Sequence, residues 1–282
     1  MTVGTKQNVL SIWTVLHTRA ENILLESFQQ MLHAETQDIQ TFVRKYDESL
    51  AKTFGNVKRL PQFDPDTQYL GGSAFTNWRN QNNSSVTLLR GRTVAPDRTL
   101  LCWHSPVTTK LVLTPEKYLT NSRISELPPV LYCFCQTAAY HEGCQPSLIS
   151  AYTVIAMLIY QLLSCKNSRS VLRDEQSYTK LKREVEQLGG QPAFDQLSML
   201  GSILANLLTD QGLKEVFIVL DRVDRIQGNL EFFLRIMLAV AEKTKCVLKI
   251  LLTVRTTYAF DDTVLKENLG EDAYIELSFD QD

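Results

Sequence analysis

Residues 215–226, EVFIVLDRVDRI, constrain the fold more than any other stretch of the chain. An unbroken apolar run, residues 216–220, leads directly into Asp221, and Asp224 follows one turn later. An apolar run of this length ending in charge reads as a strand covered on both faces, the pattern of a parallel sheet between helices. A carboxylate at the C-terminal end of such a strand stands at the crevice where open α/β sheets bind their ligands.

The remaining segments fit that architecture. Residues 86–89, 99–103, 130–135, 247–254 and 274–277 are further short, mostly apolar runs, the fourth carrying one Lys at position 249. Between them lie helical patterns at 147–164, with Ile149, Tyr152, Ile155, Ile159 and Leu162 on one face, and at 229–244. Residues 165–214 are charge-rich and predict a solvated helix followed by a second over 194–208. Strands alternating with helices indicate βαβ units.

Ahead of this block, apolar residues recur at helical spacing from Leu16 to Leu50, and neither Gly nor Pro occurs between Ser11 and Phe54. The span predicts one long helix, or two with a break near residues 33–37. Gly55, Pro61, Pro65, Gly71 and Gly72 then punctuate a stretch without periodicity. The expected organisation is a helical N-terminal segment over 1–54, a linker over 55–74 and an α/β domain over 75–282.

Composition narrows the function classes. The net charge is -2, from 29 basic and 31 acidic residues, so the chain lacks the basic excess of a general nucleic-acid binder. Hydrophobic residues make up 44% against 21% charged, which excludes the disordered class. No apolar run reaches the length of a membrane helix, and residues 1–12 lack the pattern of a secretory signal. The cysteines mostly sit in apolar runs, and Cys133 and Cys135, separated by a single residue, have no second pair to complete a zinc site. A cytoplasmic protein with reduced thiols is expected.

VFIVLDRVD followed after a helix by LKILLTVR resembles the Walker B and sensor 1 strands of STAND NTPases, the NACHT-like group abundant in fungi. VLYCFCQ with the helix ending LIYQLL, and the lead-in YLGGSAFTNWR, are similar to flanking segments of that family, so the likeness covers residues 70–256. It implies a P-loop NTPase type of mostly parallel sheet, with Asp221 as a metal ligand, Asp224 as the catalytic acid that positions water, and Mg²⁺ with a nucleoside triphosphate as cofactors. The phosphate loop departs from the family. Its equivalent is TLLCWHSPVTTKLVL, with Lys110 at the motif's Lys and Pro106 where many members have Pro. His104 and Thr109 stand at the glycine positions and Leu111 replaces the Ser/Thr, so both the backbone cradle and the metal-binding hydroxyl are lost. Arg225 takes the place of the Glu that usually follows the second acid. The family's later switch modules do not fit in the residues after Thr256.

Two readings of this region stand side by side. In one, Lys110 with Arg90, Arg92 and Arg255 holds an anion in place of the lost loop. In the other, these cations are solvated or neutralise Asp221 and Asp224. The first functional expectation is therefore a degenerate STAND-like module that binds nucleotide or regulates through a protein partner or a second copy, with weak or no hydrolysis. The alternative is an enzyme whose rebuilt crevice takes a metal-bound phosphate or diphosphate ester. A nucleophilic pair of Cys135 with His141 is a further, less favoured arrangement.

Overall fold

The structure, a computed structural model, describes residues 3–41, 44, 65–91, 105–120, 127–135, 148–165, 169–255, 263–268 and 274–279. A five-stranded parallel sheet organises them. Its strands are β1 (Ser85–Gly91), β2 (Val130–Phe134), β4 (Glu215–Asp221), β6 (Val247–Arg255) and β7 (Tyr274–Phe279), in the spatial order β2-β4-β6-β1-β7. Every pairing between neighbours is parallel. A two-stranded parallel bridge of β3 (Ile149–Ser150) and β5 (Ile226–Gln227) lies beside it. The expected run at 99–103 lies outside the described residues.

Helices cover both faces, as the unbroken apolarity of β4 requires. On one face lie α1 (Val3–Leu32), α5 (Ala151–Ser164), α7 (Glu175–Glu186), α8 (Ala193–Asp210) and α9 (Leu230–Lys243). On the other lie α2 (Ser73–Asn80), α3 (Ser105–Leu113) and α4 (Pro115–Leu119). Two short helices, α6 (Ser170–Arg173) and α10 (Thr263–Asn268), are also present. Pleating divides β4 between two cores. Val216, Ile218 and Leu220 pack with α5, α8 and α9, whereas Phe217 and Val219 pack with Trp78 and Val107 from α2 and α3. β6 alternates likewise, so Lys249, Leu251 and Thr253 face the α3 side.

Local chemistry sets the helix boundaries. Ser150, Asp174 and Asn229 each cap the helix that follows, their side chains accepting from the main-chain N–H three residues on. The pattern read as starting at 147 therefore becomes a helix only at Ala151, because Ile149 and Ser150 pair with β5 instead. Gly201 lets α8 lie against α9, since a Cβ there would meet Ile236 Cγ2 at 2.5 Å.

The N-terminal segment shares the larger core. Leu25, Phe28 and Leu32 are buried in it, and Phe28 meets Tyr178 edge-on at 5.6 Å between ring centroids. Glu21 accepts from Arg173 at 2.7 Å and from Arg169 at 3.5 Å, and these cations hold its carboxyl below the usual range. α1 ends at Leu32, His33 turns left-handed at φ 49°, and helix resumes at residue 39. The break thus falls in the window where the sequence left one helix or two open. Within the stretch read as linker, Asp66–Leu70 folds into a π-helical turn because Tyr69 and Leu70 bury against Phe75 and its neighbours. Among the described residues no helix is long and apolar enough to cross a membrane.

Candidate functional site

The site forms at the C-terminal ends of β4 and β6, beneath the first turn of α3. Asp221 ends β4 on the pleat that faces α3, and Thr253 lies beside it on β6 with the same orientation. Ser105 opens α3 directly above them. These three positions come from segments far apart in sequence, and the parallel register brings them together.

Asp221 is only 2% exposed, and hydroxyl groups satisfy it. Thr253 Oγ1 donates at 2.7 Å, and Ser105 Oγ lies 2.8 and 3.0 Å from the two carboxylate oxygens. Thr108 Oγ1 stands 3.3 Å away, although its single proton is better placed on the Ser105 carbonyl at 2.7 Å. Thr253 Oγ1 in turn accepts from the Arg222 main-chain N–H at 2.8 Å. Burial pushes the Asp221 carboxyl above the usual carboxylate range, and the Thr253 and Ser105 hydroxyls only partly offset that.

Asp224 is turned elsewhere. Arg222 adopts a left-handed conformation, φ 60° and ψ 52°, that folds its fully buried guanidinium onto the next turn. Nε and Nη2 donate to the two Asp224 oxygens at 2.9 and 2.8 Å, a bidentate fork. Arg225 Nε lies 3.8 Å from the same carboxylate. The acid singled out to position water is thus neutralised by a neighbour.

Two of the proposed anion-holding cations, Lys110 and Arg90, pair with acids other than Asp221. Lys110 lies in the last turn of α3, and its ammonium donates to Asp66 at 2.8 Å. Lys117 and the Tyr118 hydroxyl donate to the same carboxylate, and these donors, Lys110 foremost, hold Asp66 well below the usual range. Arg90, near the end of β1, forms an ion pair with Glu276 on β7. Arg255 closes β6 opposite Gly91. Arg92, His104 and His141 lie outside the described residues. Cys135 is buried, and burial raises its thiol well above the ordinary value.

Ser105, Thr253 and Arg222 escaped the sequence reading. Lining up Lys110 with the motif's Lys places the motif's hydroxyl at position 111, yet Leu111 is buried and the hydroxyl that meets Asp221 is Ser105. Ser105-Pro106 carries the signal that could have found it, because Pro in the first turn marks a helix start. Thr253 could have been found from the parallel register, since equal offsets from Leu220 and Leu252 set it beside Asp221.

Asp221, Ser105 and Thr253 offer hard oxygens, the type Mg²⁺ prefers. They carry only one formal negative charge, already hydrogen-bonded and held above the usual carboxylate range, and the second acid is locked on Arg222. These residues do not fit a resident Mg²⁺. In comparisons with known proteins, no family model matches this chain and no curated protein is similar to it.

Proposed function

We propose that the chain is a degenerate STAND-like NTPase core that serves as a regulatory interaction module, with weak or no hydrolysis. The fold supports this through a parallel sheet in which β4 ends in an acid, β6 sets a hydroxyl beside it and α3 starts above both. The observation that carries the reading is the state of the two acids. Asp221 is packed among hydroxyls and Asp224 is forked by Arg222, so neither is poised to hold a metal or orient water. An acid in this position organises the crevice: it ties α3 to β4 and β6.

Thermal unfolding in the presence of Mg·ATP, Mg·GTP and Mg·pyrophosphate tests the proposal. The expected result is no saturable rise in Tm with any of the three. A saturable rise that Asp221→Ala abolishes would instead support the enzyme reading, with a metal-bound phosphate or diphosphate ester as substrate, and the preferred ligand would then identify the class.

A further inference from the structure

α7 and α8 form a helical hairpin that borders an acid-rimmed cleft. A 3-10 turn, Gln187–Gly190, lies between them, and so short a connection sets the two helices antiparallel. Between α6, α7 and α8 lies a cleft of about 440 Å³. Its floor is apolar: Val171, Leu181, Ile203 and Leu207 line it and are buried. A second hollow of about 250 Å³ adjoins it, because Glu184, Ile203 and Asn206 line both. Together they follow α8 from Ser198 to Asp210, about 18 Å at the rise of an α-helix.

The rim of this groove is negative. Asp174, Glu184 and Asp210 stand on it with a single cation, Lys180. Asp174 accepts the Ser177 N–H through one of its two oxygens. Among the described residues, no ion pair joins Lys180 to Glu184, although they stand one turn apart on α7, and no cation pairs with Asp210. Elsewhere on these helices such pairs do form, Lys182 with Glu186 on α7 and Arg235 with Glu231 on α9. Asp210 ends α8, whose last turn carries no basic residue. A helix C-terminus itself carries partial negative charge and favours a cation. Acid and dipole therefore act in the same direction there.

We propose that the groove between α7 and α8 docks a basic amphipathic helix of a partner protein. Charge complementarity selects the sign: lysines or arginines of the partner meet Asp174, Glu184 and Asp210, while its apolar side covers the floor. The walls select a helix. Both are helical, and their main-chain groups are bonded within each helix, so an extended peptide laid here would leave its own groups without partners. A helix satisfies its own and presents side chains at three- and four-residue spacing, which matches Met199 and Ile203 along the groove. A length of about 18 Å takes roughly three turns. The inference rests on the interaction-module reading and names the partner's chemistry. It makes no use of the crevice, so a nucleotide titration that overturned that reading would leave this test unaffected.

The probe is a synthetic amphipathic peptide of leucine and lysine, about 14 residues long, titrated with the full chain by fluorescence anisotropy. Two further peptides replace every lysine by glutamate or every leucine by serine. The leucine–lysine peptide is expected to bind saturably, and the glutamate peptide is not. Glu184→Lys/Asp210→Lys should weaken the lysine peptide by at least roughly tenfold and admit the glutamate peptide. Glu242→Lys/Glu267→Lys makes the same change in net charge away from the groove and should leave binding within about twofold. The serine peptide should bind at least roughly tenfold more weakly, because it has no apolar side for the floor. Absence of saturable binding overturns the proposal, as does equal loss in the two double variants or equal binding of the serine peptide. Circular dichroism reports the fold. Should Glu184→Lys/Asp210→Lys fail to fold, Asp210→Lys alone is read in the same way, and unchanged binding there overturns the proposal.

Discussion

Arg222 and Asp224 stand two residues apart and meet in a buried bidentate ion pair, at 2.9 and 2.8 Å, made possible by the left-handed backbone of Arg222. The arrangement converts what reads in sequence as a second crevice acid into part of the core. Breaking one side of a buried pair leaves an unpaired charge and costs about 3–5 kcal/mol, whereas replacing both partners by apolar groups is close to neutral. Arg222→Met is therefore expected to destabilise strongly in urea unfolding. Arg222→Met with Asp224→Leu should recover most of the loss. An Arg222→Met variant as stable as the wild type would contradict the assigned role.

Lys249 gives a pH prediction. It is fully buried in β6 and donates to the Asn83 carbonyl at 2.8 Å and to Ser85 Oγ at 3.0 Å, with Glu215 nearby on β4. Burial lowers its ammonium to about 8, and the Glu215 charge only partly counters this. The unfolded chain then binds the proton more tightly, so this group makes stability rise with pH between about 8 and the ordinary lysine value of about 10.4. Lys249→Met should flatten that rise, measured as the difference in unfolding free energy between variant and wild type across the window.

Much of the fold was legible because it rests on local pattern. The apolar runs at 216–220 and 247–254 and the helices around 194–208 and 229–244 appear where periodicity put them, and the capping residues sharpen their ends. The exit of Asp221 from β4 was legible for the same reason. Its partners were not. Ser105 lies 116 residues from it and Thr253 lies 32 residues away, and only the parallel register joins them. The turn of Arg222 back onto Asp224 depends on one left-handed residue that carries no glycine to announce it. Lys110 read as a phosphate ligand because the π-helical turn that supplies Asp66 lies in a stretch without periodicity.

Packing of α8 on α9 depends on the missing side chain at Gly201. A methyl group there would sit 2.5 Å from Ile236 Cγ2, inside contact distance. Gly201→Ala is expected to cost about 1–3 kcal/mol through overpacking, even though Ala favours helix over Gly. Adding Ile236→Leu removes the offending branch methyl and should restore much of the loss, which a double-mutant cycle by chemical unfolding would read.

The central claim is that Asp221 is a packed acid and not a metal ligand. Its carboxyl is raised by burial, so the folded state holds the proton to higher pH than the unfolded chain does. Stability from this group is thus present at acid pH and lost as pH rises through the folded value. Asn keeps an acceptor for Ser105 and Thr253 without an ionisable proton. The most direct measurement is the Tm of Asp221→Asn against the wild type at neutral pH, each with and without Mg·ATP. A packed acid predicts a higher Tm for the variant, by about 2–4 °C for each kcal/mol gained, and no response of either protein to Mg·ATP. A less stable variant, together with a wild type stabilised by Mg·ATP and a variant that is not, would contradict it.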